Sequence, residues 1–136
     1  MPVNVAMKRN VICADPKTSI REIARIMADN HIGSVVITKN EKMVGIVTDS
    51  NVLSFVASAG DADATPVEHI MTRYVIFTSP EASLEKASEL MIKHNIKKLP
   101  VLKNDKLVGI ITTTDLAIAA PAKIKRLKKL ISRSGI

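Results

Sequence analysis

The sequence contains no tryptophan, one tyrosine and two phenylalanines among its 136 residues. So few aromatics exclude the stacking platforms on which single-stranded nucleic acid is commonly held. Cysteine is nearly absent as well. Cys13 stands alone, cannot close an internal disulfide, and fits a reducing cytoplasm; its alternating surroundings read as a small core residue on a strand. No apolar run approaches the roughly 18 residues of a membrane-spanning helix. The opening, MPVNVAMKRN, lacks an apolar segment followed by a small-residue cleavage site, so no secretory signal is read and a cytoplasmic location is expected. His31, His69 and His94 have no cysteine or carboxylate at metal-ligand spacing and read as surface or capping residues, not metal ligands. No Ser/His/Asp set, phosphate-binding glycine loop or carboxylate pair emerges, so the chain is not read as an enzyme.

What is present is aliphatic. Apolar residues make up 46% of the chain, nearly all Val, Ile, Leu, Met and Ala, a mix suited to strands covered by helices. The net charge of +7 suggests nucleic acid until its distribution is considered. Residues 121–136 hold six of the basic residues (Lys123, Lys125, Arg126, Lys128, Lys129 and Arg133) and no acid, which leaves the other 120 residues at +1. The body is balanced; only the tail is basic.

The chain repeats itself. Displaced by 64 residues, positions 7–53 fall on 71–117 without a gap, and 15 of the 47 pairs are identical, among them Met7/Met71, Pro16/Pro80, Met27/Met91, Gly45/Gly109 and Thr48/Thr112. Each copy reads as β-α-β-β-α. In the first, Val11–Ala14 is a short strand broken by Asp15-Pro16. Ser19 is a helix N-cap with Glu22 placed to complete a capping box, and Ile20, Ile23, Ala24 and Met27 form one helical face. Gly33 lies past the helix end. Ser34–Ile37 and Met43–Val47 are strands joined by a polar turn at 39–42, and a second helix begins near Asp49 or Ser50. The second copy repeats this with Val75–Thr78, a helix from Ser83 to His94, Leu99–Leu102, Leu107–Ile111 and a helix from Thr113 to Ala120, which Pro121 limits. Ala57–Thr65 is small and polar and reads as a linker or frayed helix end. The boundaries follow as 1–60, 61–120 and a tail at 121–136.

Both copies end their hairpin on one pattern: Gly45-Ile46-Val47-Thr48-Asp49-Ser50-Asn51-Val52 and Gly109-Ile110-Ile111-Thr112-Thr113-Thr114-Asp115-Leu116. Thr112 and Asp115 stand where a strand gives way to a helix. Free amides of a first helical turn favour an anionic phosphate, a threonine hydroxyl can donate to it, and an aspartate one turn later can accept from both hydroxyls of a ribose. The plainer alternative is that Thr112 is an N-cap and Asp115 an acid favoured in a first helical turn.

With Val67-Glu68-His69-Ile70-Met71-Thr72 as lead-in and Ile96-Lys97-Lys98-Leu99-Pro100-Val101 as helix-to-strand junction, residues 5–120 resemble a CBS domain pair, the Bateman module. The resemblance implies a mixed α/β fold of two pseudo-twofold-related β-α-β-β-α units packed sheet to sheet, with ligand clefts between the copies. It groups Thr112 and Asp115 with Ala14, Ile32, Gly33 and Ser34, and Thr48 and Asn51 with Thr78, Ile96, Lys97 and Lys98. The implied function is regulatory: binding of AMP, ADP or ATP, or an adenosyl ligand such as S-adenosylmethionine, coupled to a change of shape passed to a protein partner. On that grouping the lysine-bearing Asn51 site favours ATP or ADP, and the Asp115 site favours AMP or a neutral-headed adenosyl compound. Asn51 departs from the aspartate usual in the family and weakens that copy's hold on a ribose.

The family commonly pairs two modules, and a homodimer is expected here on the assumption that Ile23, Met27, Leu90 and Met91 stay partly uncovered. Ile124, Leu127, Leu130 and Ile131 give the tail a narrow apolar stripe among lysines, read as packing on the body or on a second chain. The alternative function is an interaction protein with vestigial pockets whose basic tail meets nucleic acid or another protein.

Overall fold

Ser19 and Ser83 hold equivalent places in the repeat, and each starts a helix in the same way. In this computed structural model, which describes residues 1–119, Ser19 Oγ accepts the Glu22 amide at 3.1 Å and Ser83 Oγ accepts the Lys86 amide at 3.0 Å. The helices are α1 (Ile20–Asn30) and α3 (Leu84–His94). Each stops at one left-handed residue, His31 or Asn95, both at φ 53°, so the terminator is not Gly33. The expected capping box is half made: the Glu22 carboxylate turns instead to Arg25, which holds its pKa below the usual range.

The strands are β1 (Cys13–Ala14), β2 (Ser34–Lys39), β3 (Lys42–Thr48), β4 (Lys98–Lys103) and β5 (Lys106–Thr112), with α2 (Asp49–Ala57) after β3 and α4 (Thr113–Ala119) after β5. β1 runs parallel to β2 across the α1 crossover, while β2/β3 and β4/β5 are antiparallel hairpins. Their two-residue turns, Asn40-Glu41 and Asn104-Asp105, have positive φ at both positions, the geometry that follows the right-handed twist of paired strands. The expected strand at Val75–Thr78 does not form; among the described residues it leaves one bridge, Thr78 to Val101. The first strand likewise shrinks to Cys13–Ala14, with Cys13 exposed, which corrects its assignment to the core.

The chain folds as two compact units whose make-up is offset from the two sequence copies. One unit spans Val11–Val75; the other, among the described residues, combines Met1–Asn10 with residues 76–119. Each lead-in therefore folds with the other copy's strands. Val67 N donates to Thr18 O at 2.7 Å, and Val3 N donates to Ala82 O at the same distance. Val3 and Val67 are fully buried, and Met7 and Met71 nearly so. The stretch expected as a linker is part of the first of these units: Ile20 N and Arg21 N donate to Thr65 O and Ala62 O at 3.0 Å, and the Arg21 guanidinium pairs with Asp63.

Each unit has its own core. In one, Ile23, Met27, Val35, Ile37 and Val47 meet Val67 and Met71; in the other, Leu84, Ala87, Met91, Leu99 and Ile111 meet Val3 and Met7. Each fully buried aliphatic side chain contributes roughly 1.5–3 kcal/mol. Ile23, Met27 and Met91 are thus already covered within their own units, and of the four residues assumed for pairing only Leu90 stays partly uncovered. Among the described residues, the large apolar side chains left exposed on the α-helices are Leu53 and Val56 on α2 and Ile118 on α4. The basic amphipathic tail expected at 121–136 lies outside the described residues.

The motif glycines have a steric cause. A Cβ on Gly109 would stand 2.6 Å from Met7 Sδ and 2.9 Å from Lys8 O; on Gly45 it would meet Met71 Sδ at 2.6 Å and Thr72 O at 2.9 Å. Both carbonyls are held by strand-like bonds, from Ile110 N to Lys8 O at 2.9 Å and from Ile46 N to Thr72 O at 3.0 Å. Gly45→Ala and Gly109→Ala should each lower stability by about 1–3 kcal/mol in urea titration. Gly60→Ala, whose new methyl would meet only the half-buried Phe55 ring, should cost less; equal costs at all three would refute the steric account.

Candidate functional site

The two strand-to-helix turns are built alike. Thr112 Oγ1 accepts the Asp115 amide at 3.2 Å, and Asp115 Oδ2 accepts in return from Thr112 N and Thr112 Oγ1, both at 2.9 Å. Thr48 and Asn51 form the same closed arrangement: Asn51 Oδ1 accepts from Thr48 N at 2.9 Å and from Thr48 Oγ1 at 3.1 Å. Each is a reciprocal cap that satisfies amides the helix leaves unbonded.

This geometry changes the expected phosphate cradle. At α2 the Asp49 amide donates to Gly33 O at 2.9 Å, the Ser50 amide to the Asp49 carboxylate at 2.8 Å, and the Asn51 amide to Thr48 Oγ1. At α4 the Thr113 amide donates to Lys97 O at 3.0 Å, and the Asp115 amide is taken by the cap. These amides are engaged, not free, and the threonine hydroxyls point their protons at the neighbouring Asp or Asn. The capping role weighed as the plainer alternative is therefore what the turns perform.

Of the remaining candidates, the helix-to-strand junctions lie beside these caps within each unit, whereas Ala14 and Thr78 lie farther along the strands. Ser34 pairs with Thr48 across the hairpin, next to the Gly33 carbonyl, with Ile32 half-buried beside them and Ala14 on β1 opposite Ile37. Lys98 pairs with Thr112, next to the Lys97 carbonyl, with Ile96 half-buried and the buried Thr78 bridging Val101. The resemblance groups these residues across the copies; the contacts inside each unit join Asp115 to the lysine-bearing junction and Asn51 to the Gly33-Ser34 junction.

One residue had not been anticipated. Lys8 Nζ lies 3.5 Å from Asp115 Oδ1, the carboxylate oxygen that the cap leaves open. The Lys8 backbone is fixed by two bonds to Ile110, at 2.8 and 2.9 Å, so the placement follows from the lead-in. In the repeat register Lys8 corresponds to Thr72, and Asp115 to Asn51. An acid and a base change together between the copies, and that joint change was the signal in the sequence. Among the described residues no three His, Cys, Asp or Glu side chains gather to hold a metal, and no helix is long and apolar enough to cross a membrane.

Comparison with known proteins bears on this arrangement. Residues 3–58 and 67–121 each match the CBS domain. A CBS domain-containing protein of Bacillus subtilis, YhcV, is 31% identical over 116 residues, covering 85% of this chain and 83% of that protein. An uncharacterised protein of Methanocaldococcus jannaschii is 38% identical over 122 residues; the chain spans 63% of its length, and 89% of this chain is covered. Among solved structures, the CBS domain pair of protein MJ0100, in complex with 5-methylthioadenosine and S-adenosyl-L-methionine, superposes with a TM-score of 0.80 at 28% identity, covering 88% of this chain and 98% of that one.

If the cap is the structural duty of residue 115, a neutral amide should perform it, as Asn51 does. Asp115→Asn should melt within about 0.5 kcal/mol of the parent. Asp115→Ala, which removes the carboxylate half of the cap and strands the Thr112 amide, should lose about 1–2 kcal/mol. Equal losses for both substitutions in thermal unfolding would mean that the charge itself supports the fold.

Proposed function

The chain belongs to the CBS domain family, and from that premise we propose that this regulatory module binds an adenine nucleotide or a related adenosyl ligand and signals its presence to a protein partner. The carrying observation is the Asp115 carboxylate. It is 8% exposed, it carries a charge that is costly to desolvate, and its capping task is done in the sister turn by neutral Asn51. A buried charge beyond what the fold requires suits an acceptor for ligand hydroxyls, since Oδ2 serves the cap and Oδ1 faces outward to Lys8. The chemistry that fits is a vicinal diol such as a ribose. The solved pair that holds 5-methylthioadenosine and S-adenosyl-L-methionine supports an adenosyl ligand here.

The binding residues follow from the same reading. Thr112 and Asp115 present the acceptor, with Lys97 and Lys98 beside them to favour phosphate. Thr48 and Asn51 form a weaker counterpart, flanked by Ile32, Gly33 and Ser34. In the Asp115 unit Thr78 and Ile96, and in the Asn51 unit Ala14, are the remaining residues proposed to border a bound base. AMP, ADP and ATP are the ligands proposed, with S-adenosylmethionine as the adenosyl alternative.

A panel of these ligands should raise the melting midpoint of the protein, because a compound that binds only the folded state stabilises it. In calorimetric titration, Asp115→Ala should cost about 1.5–3 kcal/mol of binding and Asn51→Ala about 1. Asp115→Asn should weaken binding with little change in melting. No stabilisation by any member of the panel would refute the reading. A larger loss at Asn51 would move the principal site to the other unit.

Pairing of two chains remains part of the proposal, on a different basis from Ile23 and Met27. Leu53 and Val56 are 69% and 62% exposed on α2, a helix that buries none of its residues in its own unit. Light scattering at micromolar concentration should give the mass of a dimer, and Leu53→Glu/Val56→Glu should give a monomer; a monomeric parent would end the idea.

A further inference from the structure

We propose that Lys8 sets the charge preference of the Asp115 acceptor, making it selective for adenosyl ligands that carry a phosphate over neutral or cationic ones; this rests on the adenosyl reading above. Three observations lead there. The Lys8 ammonium lies 3.5 Å from Asp115 Oδ1, the oxygen outside the cap. The lysine side chain is 66% exposed while the aspartate is 8% exposed, so the base stands at the mouth of a buried acid. Its backbone is clamped to Ile110 by two hydrogen bonds, which anchors the base of its side chain beside the Asp115 turn.

The sister unit isolates the effect. Thr72 pairs with Ile46 as Lys8 pairs with Ile110, at 2.8 and 3.0 Å, so the backbone device is present in both. Asn51 and Thr72 carry no charge, whereas Asp115 and Lys8 carry one of each sign. Lysine at position 8 is therefore not needed for the lead-in to dock.

The consequence for a ligand is electrostatic. Alone, the Asp115 carboxylate would repel a phosphate on the same molecule whose hydroxyls it accepts. An ammonium 3.5 Å away cancels that charge and retains further N–H donors directed to solvent. A nucleoside monophosphate then meets a neutral pair with an available cation. A neutral thioether nucleoside gains nothing from it, and a sulfonium nucleoside is opposed by it.

The test is calorimetric titration of AMP, 5-methylthioadenosine and S-adenosylmethionine against the parent, Lys8→Met and Lys8→Arg, at low and high salt, with melting midpoints as a folding control. Lys8→Met should lower AMP affinity about fivefold, the scale of a partly solvated ion pair. It should leave 5-methylthioadenosine within about twofold and improve S-adenosylmethionine, while Lys8→Arg keeps the parent order. The AMP difference should narrow at high salt as the charges are screened. If Lys8→Met weakens all three ligands alike, the lysine only positions Asp115 and the proposal falls. No change with any ligand also overturns it. A parent that binds none of the three refutes the adenosyl reading itself and this inference with it, a result visible before any variant is titrated.

Discussion

The rest of this structure depends on four backbone hydrogen bonds. Lys8 and Ile110 exchange two, and Thr72 and Ile46 exchange two, all between 2.8 and 3.0 Å. They lay each lead-in beside a motif strand, and this close approach is why a glycine must follow Val44 and Val108. They bring Met7 and Met71 down onto their cores, closing each beside Val3 and Val67. They also fix the residue after each methionine next to a strand-to-helix turn. One local pairing thus connects a steric demand in the sequence, the sealing of the core and the charge state of the candidate site.

Duplication separates what the fold requires from what one copy has added. Both turns cap their helices through the same reciprocal bonds, and Asn51 performs the task without charge. A carboxylate in the equivalent buried place bears a desolvation cost that the cap does not demand. A lysine on the lead-in reduces that cost by pairing with it. A structural explanation of Asp115 accounts for Oδ2, which takes both bonds from Thr112, whereas Oδ1 lies outside the cap and faces the solvent-exposed Lys8. That residual oxygen is where a chemical function is best sought.

Much of the fold was legible because the relevant signals are local. Ser19 and Ser83 cap as their positions suggest, and the polar turns at Asn40 and Asn104 adopt paired positive φ values. The period-three and period-four faces of α1 and α3 are buried. What escaped were tertiary matters. That Met1–Asn10 folds with the second copy, and residues 61–75 with the first, follows from which hydrophobic face each lead-in covers, and a gapless repeat is silent on that. Cys13 alternates with apolar neighbours yet lies outward, since two strand residues are too few to define a buried face. Glu22 sat at the right spacing for a capping box, but Arg25 one turn on competed for its carboxylate and won. At the site, Thr112 and Asp115 were recognisable as a pair, whereas Lys8 lies more than a hundred residues away and emerges only through the register of the repeat.

The acid and the base at the Asp115 turn differ in kind, and this divides their effects on any ligand. The carboxylate is buried and held at Oδ2 by two bonds of 2.9 Å, so its outward oxygen has a fixed direction. A fixed acceptor discriminates by shape: hydroxyls that match its lone pairs bind, and a molecule without them leaves a buried charge unsatisfied. The ammonium is exposed and 3.5 Å distant, with a flexible stem, so it contributes charge with little direction. Charge without direction discriminates by the sign of the ligand, and its effect depends on ionic strength in a way the buried bonds do not. Recognition of a diol and preference for an anion can therefore change independently here. On the proposed adenosyl reading, substitution at position 8 would alter which adenosyl compound is favoured while the cap, the glycine and the fold that present Asp115 stay as they are.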